Sequence, residues 1–407
     1  MLRGIKLRLF PTETEEKVLM AHVNAARAVW NWGLAFSMNY FEETGKYVGL
    51  NKLSRELTQV KKTDEKSWLN EVSSQTTFHA LRDLDKAYKW FFKKQKKGVK
   101  FSKKTIAKAT RQKRKLTPYD MLGHPKFKKK DVADKKFYVR YDRFYVKNGN
   151  VNLETIGKVK FKSQYDIPSG KGEVKFSNPR VSFVSGKWIL SVGVEFENQE
   201  YKLKDFSVGA DVGIKEFATV SYDGGNKIII HNVNKELRVK KLKKRLRREQ
   251  RRASKSQRPT REDKEIEPSN SYKKHQKKVA EYYGRLANIR RDHVHKASRK
   301  IVDLLPSRIV IEDLNVSGMM KNEHLSRAIS EQCWSEFFRQ IVYKAQERGI
   351  EVIKADRFYP SSKTCSNCGH VKGKLKLSER IYHCEVCGFT EDRDFNAARN
   401  LERYVPN

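Results

Sequence analysis

Cysteines 365, 368, 384 and 387 form two Cys-x2-Cys pairs separated by 15 residues, and the run Asp392-Arg-Asp-Phe-Asn-Ala-Ala-Arg-Asn400 follows them at once. Four thiolates at that spacing suit a tetrahedral zinc ion at roughly 2.3 Å, with no coordination position left for a reactant. Such an ion would fold its segment rather than react. Carboxylates offer other chemistry. Asp211 lies where the apolar run Val208-Gly-Ala-Asp-Val-Gly213 turns, Glu312 ends the apolar run Arg308-Ile-Val-Ile-Glu312, and Asp394 opens a helical pattern just after the cysteines. Acids brought together from separate elements can hold two divalent cations ~3.5–4 Å apart, the arrangement that hydrolyses phosphodiesters. Carboxylate oxygens are the donors that Mg²⁺ takes.

Each acid also has a purely structural use. Asp211 fits a hairpin turn, Glu312 a loop edge paired with an arginine, and Asp392 or Asp394 the cap of the last helix. Taken singly, those uses are favoured. Glu312 leans the other way, because an acid closing a wholly apolar strand is costly to bury without a partner.

Charge identifies the kind of partner. Lys and Arg number 87 against 48 acids, a net charge of +39 in 407 residues. A surplus of that size suits a polyanion, bound with steep salt dependence as each neutralised phosphate releases counterions. The densest stretch, Lys240–Arg252, has nine cations in thirteen residues. On a helix it would leave Leu242 and Leu246 as anchors. A solvated charged face is the ordinary explanation of such a run. In a chain of this net charge, Lys240, Lys241, Lys244, Arg245, Arg248 and Arg252 are the candidates for backbone contacts to nucleic acid. No apolar run approaches the ~20 residues of a membrane span. Four cysteines in metal-type pairs, with Cys333 alone, suit a reducing interior, so an intracellular protein is expected.

The elements that must position these groups fall into three stretches. Residues 5–9 alternate apolar and basic as a strand, Pro11 ends it, and Thr12-x2-Glu15 predicts a capping box. Helical patterns follow to about residue 97, over Leu19–Leu34, Leu50–Val60 and Phe78–Phe92, with breaks at Gly45 and the Lys-rich residues 93–97. The aromatics Trp30, Trp32, Tyr88, Trp90, Phe91 and Phe92 are read mainly as helix core rather than base-stacking groups. Residues 98–115 read as a poorly patterned basic connector. Short alternating strands at 137–141, 144–149, 158–161, 174–176 and 181–195 predict a small antiparallel barrel or sandwich, which the strand at 5–9 would complete. From residue 206 the pattern is α/β. It has a hairpin around Gly213, a third strand at 227–230, and a long charged helical stretch at 235–300 broken near Pro259 and Pro268. A buried strand at 308–312, one amphipathic helix over 330–348, a strand at 350–354 and a last helix over 394–404 complete it.

Asp211-Val-Gly-Ile-Lys215, Ile311-Glu-Asp-Leu-Asn315, Ser361-Ser-Lys-Thr-Cys-Ser-Asn-Cys-Gly369, Cys384-x2-Cys-Gly388 and Asp392-Arg-Asp-Phe-Asn-Ala-Ala398 occur together and in this order. That set resembles the TnpB family of transposon-encoded proteins, relatives of compact type V CRISPR effectors, and Leu7–Pro11 and Val29–Leu34 resemble the family's opening. The resemblance implies an RNA-guided DNA endonuclease of multidomain α+β fold. Residues 1–10 and 105–200 would form a split β-barrel wedge domain, 11–104 a helical recognition domain, and 205–358 with 391–407 a RuvC-like, ribonuclease H-type α/β nuclease domain. Residues 359–390 would be an inserted zinc ribbon. The family's nuclease acids fall on Asp211, Glu312 and Asp394, with Asp392 and Asp313 as lesser neighbours. Two Mg²⁺ ions would serve catalysis and one Zn²⁺ the fold. Implied partners are a guide RNA from the transposon end and double-stranded DNA beside a short flanking motif. The protein would be a monomer within a ribonucleoprotein of a prokaryotic cytoplasm or nucleoid. A non-cleaving guided binder or transposition accessory factor is the competing class, and the unsubstituted acids favour the enzyme.

Overall fold

The computed structural model describes residues 2–96, 98, 100–130, 135–140, 144–163, 176–195, 200–258, 266–376 and 379–406. The chain divides into two compact units, Met1–Glu197 and Asn198–Asn407. The first contains β1 (Leu2–Phe10), α1 (Glu13–Thr44), α2 (Leu50–Val60), α3 (Ser74–Gln95), α4 (Lys103–Arg111), β2 (Lys135–Tyr138), β3 (Tyr145–Lys147), β4 (Asn150–Leu153), β5 (Gly157–Lys162), β6 (Phe176–Val184) and β7 (Lys187–Glu195).

Alternation in β1 buries Ile5, Leu7 and Leu9 and leaves its basic residues outside, as the period of two requires. β1 lies inside a seven-stranded sheet of order β2-β6-β7-β1-β5-β4-β3, flanked by β7 and β5 in antiparallel register. The sheet is open, with no pairing of β2 to β3 among the described residues. α1 starts at the expected capping box: the Glu15 amide donates to Thr12 Oγ1 at 3.3 Å and the Thr12 amide to Glu15 Oε2 at 2.7 Å. It ends at Gly45, whose φ of 67° is the left-handed cap that glycine supplies most cheaply. Leu19 and Val23 of α1 close the sheet's core. Ala25 and Val29 pack against Leu53 and Leu57 of α2 and Leu81 of α3.

Of the aromatics, Trp30, Tyr88 and Phe91 are buried, whereas Trp90 is 52% exposed with Lys94 Nζ 3.7 Å from its ring centre. The connector expected over 98–115 holds a helix instead. Ser102 accepts from the Thr105 amide at 3.1 Å and starts α4, whose single buried residue, Ala109, gives the sequence almost no apolar period to show. The strand reading at 174–176 begins outside the described residues, as do Tyr141 and the break at Pro259.

The second unit contains β8 (Lys204–Val212), β9 (Glu216–Tyr222), β10 (Asn226–His231), α5 (Leu237–Lys255), α6 (Asn270–Val302), β11 (Pro306–Glu312), α7 (Val316–Met319), α8 (Ser326–Gln332), α9 (Trp334–Gln346), β12 (Glu351–Ala355), β13 (Ile381–His383), β14 (Thr390–Asp392) and α10 (Arg393–Glu402). Its five-stranded sheet has the order β10-β9-β8-β11-β12. β8, β9 and β10 form an antiparallel meander, while β11 runs parallel to both β8 and β12. Parallel neighbours need long crossovers, which α5–α6 and α9 supply. This is a mixed sheet, as the α/β pattern from residue 206 predicts.

Each face of that sheet has its own helical cover. Val208, Ala210, Ile309 and Ile311 point toward Val294, Ala297 and Ile301 of α6 and Phe337 and Ile341 of α9. On the opposite face Val310 meets Leu401 and Tyr404, at the end of the chain. The helix expected over 330–348 is two helices. Cys333, at φ 59°, separates α8 from α9 and reaims the chain so that Trp334 and Phe337 face the core. The apolar spacing runs through this break, so composition gives no sign of it. Among the described residues no helix is long and apolar enough to cross a membrane.

Candidate active site and metal centre

Alternation along β8 and β11 decides where two of the acids point. Ala210 pairs in register with Ile311, and both side chains enter the α6–α9 core. Asp211 and Glu312, one residue further along each strand, therefore point to the opposite face, the one covered by α10. The third acid arrives on α10 itself, because that helix presses on β8 at Gly209. A Cβ at Gly209 would lie 2.1 Å from Ala398 O and 2.2 Å from Glu402 N. From this contact Asp211 is two strand residues away, about 6.6 Å, and Asp394 is four helix residues from Ala398, about 6 Å. α10 runs antiparallel to β8, since Glu402 also accepts from the Gly224 amide at 2.9 Å, and Gly224 lies beyond Tyr222, which pairs with Val208 toward the start of β8. The two acids are thus carried to the same end of the sheet.

Like charges confined there disfavour ionisation. Burial first, then the Glu312 and Asp394 carboxylates, push Asp211 well above the usual carboxylate range, with Arg393 opposing. Burial also raises Glu312; a hydrogen bond from Ser361 Oγ to Glu312 Oε1, 3.0 Å long, works against it, and Asp394 adds to the rise. Asp394 faces Arg393 Nη2 at 3.1 Å. The neighbouring acids are occupied elsewhere. Asp392 accepts from the Phe395 amide at 3.0 Å as the cap of α10, and Asp313 pairs with Arg357 at 2.5 Å. A site of three repelling carboxylates, all hard oxygen donors, fits the donor set of divalent Mg²⁺.

The cysteines gather from two loops. Cys365 and Cys387 Sγ are 3.7 Å apart and Cys368 and Cys384 Sγ 3.6 Å, and all four lie within 4.8 Å of one another. A tetrahedron with 2.3 Å bonds has edges near 3.8 Å, so these spacings are those of four thiolates on one ion, far from a ~2.05 Å disulfide. Among the described residues this is the one place where three or more such ligand atoms come so close. The residues present fit structural zinc. Cys365 and Cys384 are buried around Tyr382, while β13 and β14 form the small hairpin of the insert.

α5 buries Val239, Leu242 and Leu246 against Val279 and Leu286 of α6, which turns its cations outward. Lys240, Lys241, Lys244, Arg245, Arg248 and Arg252 are all exposed, with Arg252 paired to Glu249 at 3.0 Å. Lys243, Arg247 and Arg251, which the sequence pattern does not set apart, join Lys240, Lys244 and Arg248 around a groove of about 490 Å³. Glu249, buried in the basic helix, accepts from His275 Nδ1 at 2.7 Å and clasps α5 to α6.

Three family models match. Residues 191–323 match one described as "Probable transposase", residues 334–401 the "Cas12f1-like, TNB domain", and residues 1–46 a "Helix-turn-helix domain". Over the last range the structure has a strand and a single 32-residue helix. The chain is 31% identical over 400 residues to a "Putative RNA-guided DNA endonuclease" of Streptomyces pristinaespiralis, covering 98% of this chain and 88% of that protein. It is 30% identical over 416 residues to the "Putative RNA-guided DNA endonuclease InsQ" of Escherichia coli K12, covering 98% and 91%. The "CRISPR-associated endodeoxyribonuclease Cas12f1" of Sulfoacidibacillus thermotolerans is 27% identical over 257 residues, 59% of this chain and 55% of that one. A cryo-EM structure of a Cas12f1–sgRNA–target DNA complex aligns over 99% of both chains at 17% identity, with a TM-score of 0.37.

Proposed function

The chain belongs to the TnpB family of transposon-encoded proteins, and we propose that it is an RNA-guided DNA endonuclease whose hydrolytic site is formed by Asp211, Glu312 and Asp394. The observation that carries this is the delivery of three acids from β8, β11 and α10 to one end of one sheet face, fixed by the backbone contact at Gly209. Bound Mg²⁺ would polarise the scissile phosphate, supply hydroxide near neutral pH and stabilise the leaving oxygen. Asp211 and Glu312, anchored on adjacent parallel strands, would hold such ions from the sheet side. Asp394, on the first turn of α10, would complete the set from the helix side. The four thiolates hold zinc away from the reaction and shape the insert.

Guide and target would be neutralised in part by α5, whose outward cations suit phosphates and A-form shape rather than base sequence. The partners are a guide RNA from the transposon end and double-stranded DNA carrying a flanking motif, with the protein as a monomer in the ribonucleoprotein. The split wedge domain of residues 1–10 and 105–200, the helical recognition domain of 11–104, the nuclease domain and the ribbon of 359–390 are the proposed division of labour. One hydrolytic site would cut the two DNA strands in turn.

The test is cleavage by ribonucleoprotein purified after co-expression with the native flanking DNA. The substrate is a guide-matched plasmid library with a randomised flank and Mg²⁺, run beside Asp211→Ala. Linear product with a selected flank, absent in the variant, is the expected result. Flank-specific binding without a cut would replace the nuclease by a guided binder.

A further inference from the structure

The segment Ser361–Ser366 lies between the two candidate metal sites. At one end the Ser361 hydroxyl donates to Glu312 at 3.0 Å; near the other, Cys365 belongs to the thiolate cluster. Between them the backbone is fastened to α10 by two asparagines one helical turn apart. Asn400 Nδ2 donates to Ser361 O at 2.7 Å and to Thr364 O at 2.6 Å. Asn396 Nδ2 donates to Thr364 O at 2.8 Å, and its Oδ1 accepts from the Ser366 amide at 2.9 Å. Ser361, Asn396 and Asn400 are 4%, 0% and 5% exposed. Asparagine is a mediocre helix former, and a buried amide is costly unless its donors and acceptors are met. Packing alone would be served by alanine or leucine at 396 and 400. The amides are explained by the carbonyls and the amide they hold.

The consequence reaches the acids. Asp394 repels the Glu312 carboxylate, which therefore needs a fixed donor to hold its orientation. The Ser361 hydroxyl supplies that donor, and its own place is set by the peptide that Asn400 grips. We propose that Ser361 and Asn400 are positioning residues for Glu312: the amide fixes the Ser361 peptide, the hydroxyl fixes the carboxylate, and a folded thiolate cluster is thereby coupled to a competent set of acids. The inference rests on the nuclease reading above. Partners that orient a metal ligand are typically worth 10–100-fold in metal affinity or activity.

The test compares wild type, Ser361→Ala, Ser361→Thr and Asn400→Ala as ribonucleoproteins. Mn²⁺ binding is followed by the EPR signal of the free ion, and cleavage is followed as a function of Mg²⁺. Ser361→Ala is expected to weaken Mn²⁺ binding and raise the half-saturating Mg²⁺ by about 10-fold, with zinc content, melting and guide RNA binding unchanged. Ser361→Thr, which keeps the hydroxyl, restores both. Asn400→Ala shifts them in the same direction; if it does not fold, the two Ser361 variants decide. Wild-type metal dependence in Ser361→Ala, or no rescue by threonine, overturns the positioning role and leaves the nuclease reading intact. A wild-type protein that neither cuts nor binds Mn²⁺ removes both.

Discussion

Gly209 has no functional group, yet it sets the distance between two acids. A methyl there would overlap the backbone of α10, which cannot move aside as a side chain can. Overpacking of that kind costs roughly 1–3 kcal/mol or more. Gly209→Ala is therefore expected to lower the melting midpoint by several degrees and to remove cleavage, although it touches no substrate. A variant that melts and cuts like wild type would mean that α10 is not fixed on β8. Asp211→Ala, Glu312→Ala and Asp394→Ala should also lose cleavage, but with RNA and target binding nearly intact. His79 makes a different prediction. It stacks on Tyr138 with ring centres 3.4 Å apart and is 6% exposed. Burial first, then Arg82, lowers its pKa from 6.5 to about 4, with Asp83 opposing and Arg180 and Lys86 assisting. Between those values the unfolded chain binds the proton and the folded one does not, so stability falls as pH drops from 6.5 toward 4. Acid titration of unfolding should show this loss in the wild type and a smaller one in His79→Phe, which keeps the stack but cannot charge.

Among the elements, what could be read in advance was whatever the chain repeats with a period or a cap. β1, β8 and β11 alternate or run apolar, α1 carries its capping box and its closing glycine, and the Cys-x2-Cys spacing depends only on loop length. What could not be read was non-local. The break at Cys333 falls inside an unbroken apolar pattern, and α4 shows almost no pattern because it buries one residue. Asn396 and Asn400 look like the polar face of a short helix until the cysteine insert is folded over them. The acids were visible as acids at element ends, but that α10 brings Asp394 to Asp211 depends on packing at Gly209. The insert itself is testable as an element. Cys365→Ser removes one of four thiolates and should lower bound zinc from one equivalent per chain and destabilise the C-terminal part; unchanged zinc by elemental analysis would exclude a four-thiolate site. For α5, Lys240, Lys244 and Arg248 lie at intervals of four on one exposed helical face. Changing all three to glutamine should flatten the slope of log affinity against log salt by roughly 0.7–0.9 for each phosphate that is no longer neutralised. An unaltered slope would return this face to solvent.

At the scale of the whole molecule the dominant quantity is the net charge of +39. Cations packed on a folded surface repel, and the unfolded chain relieves that repulsion by expanding, so the free protein gives up stability to its own charge. A bound polyanion reverses this in two ways. It neutralises the repulsion, and it binds the folded state in preference to the unfolded one, which adds RT ln(1 + [L]/Kd) to stability, about 2.7 kcal/mol at a hundredfold excess over Kd. Salt acts oppositely on the two forms. In the free protein added salt screens repulsion and should raise the melting midpoint. In the ribonucleoprotein it weakens phosphate contacts and should lower the midpoint, so the two curves converge as salt rises. Melting of free protein and ribonucleoprotein over a salt series checks this directly. Parallel curves would mean that RNA stabilises the fold through contacts other than charge, and that the excess of lysine and arginine serves another purpose.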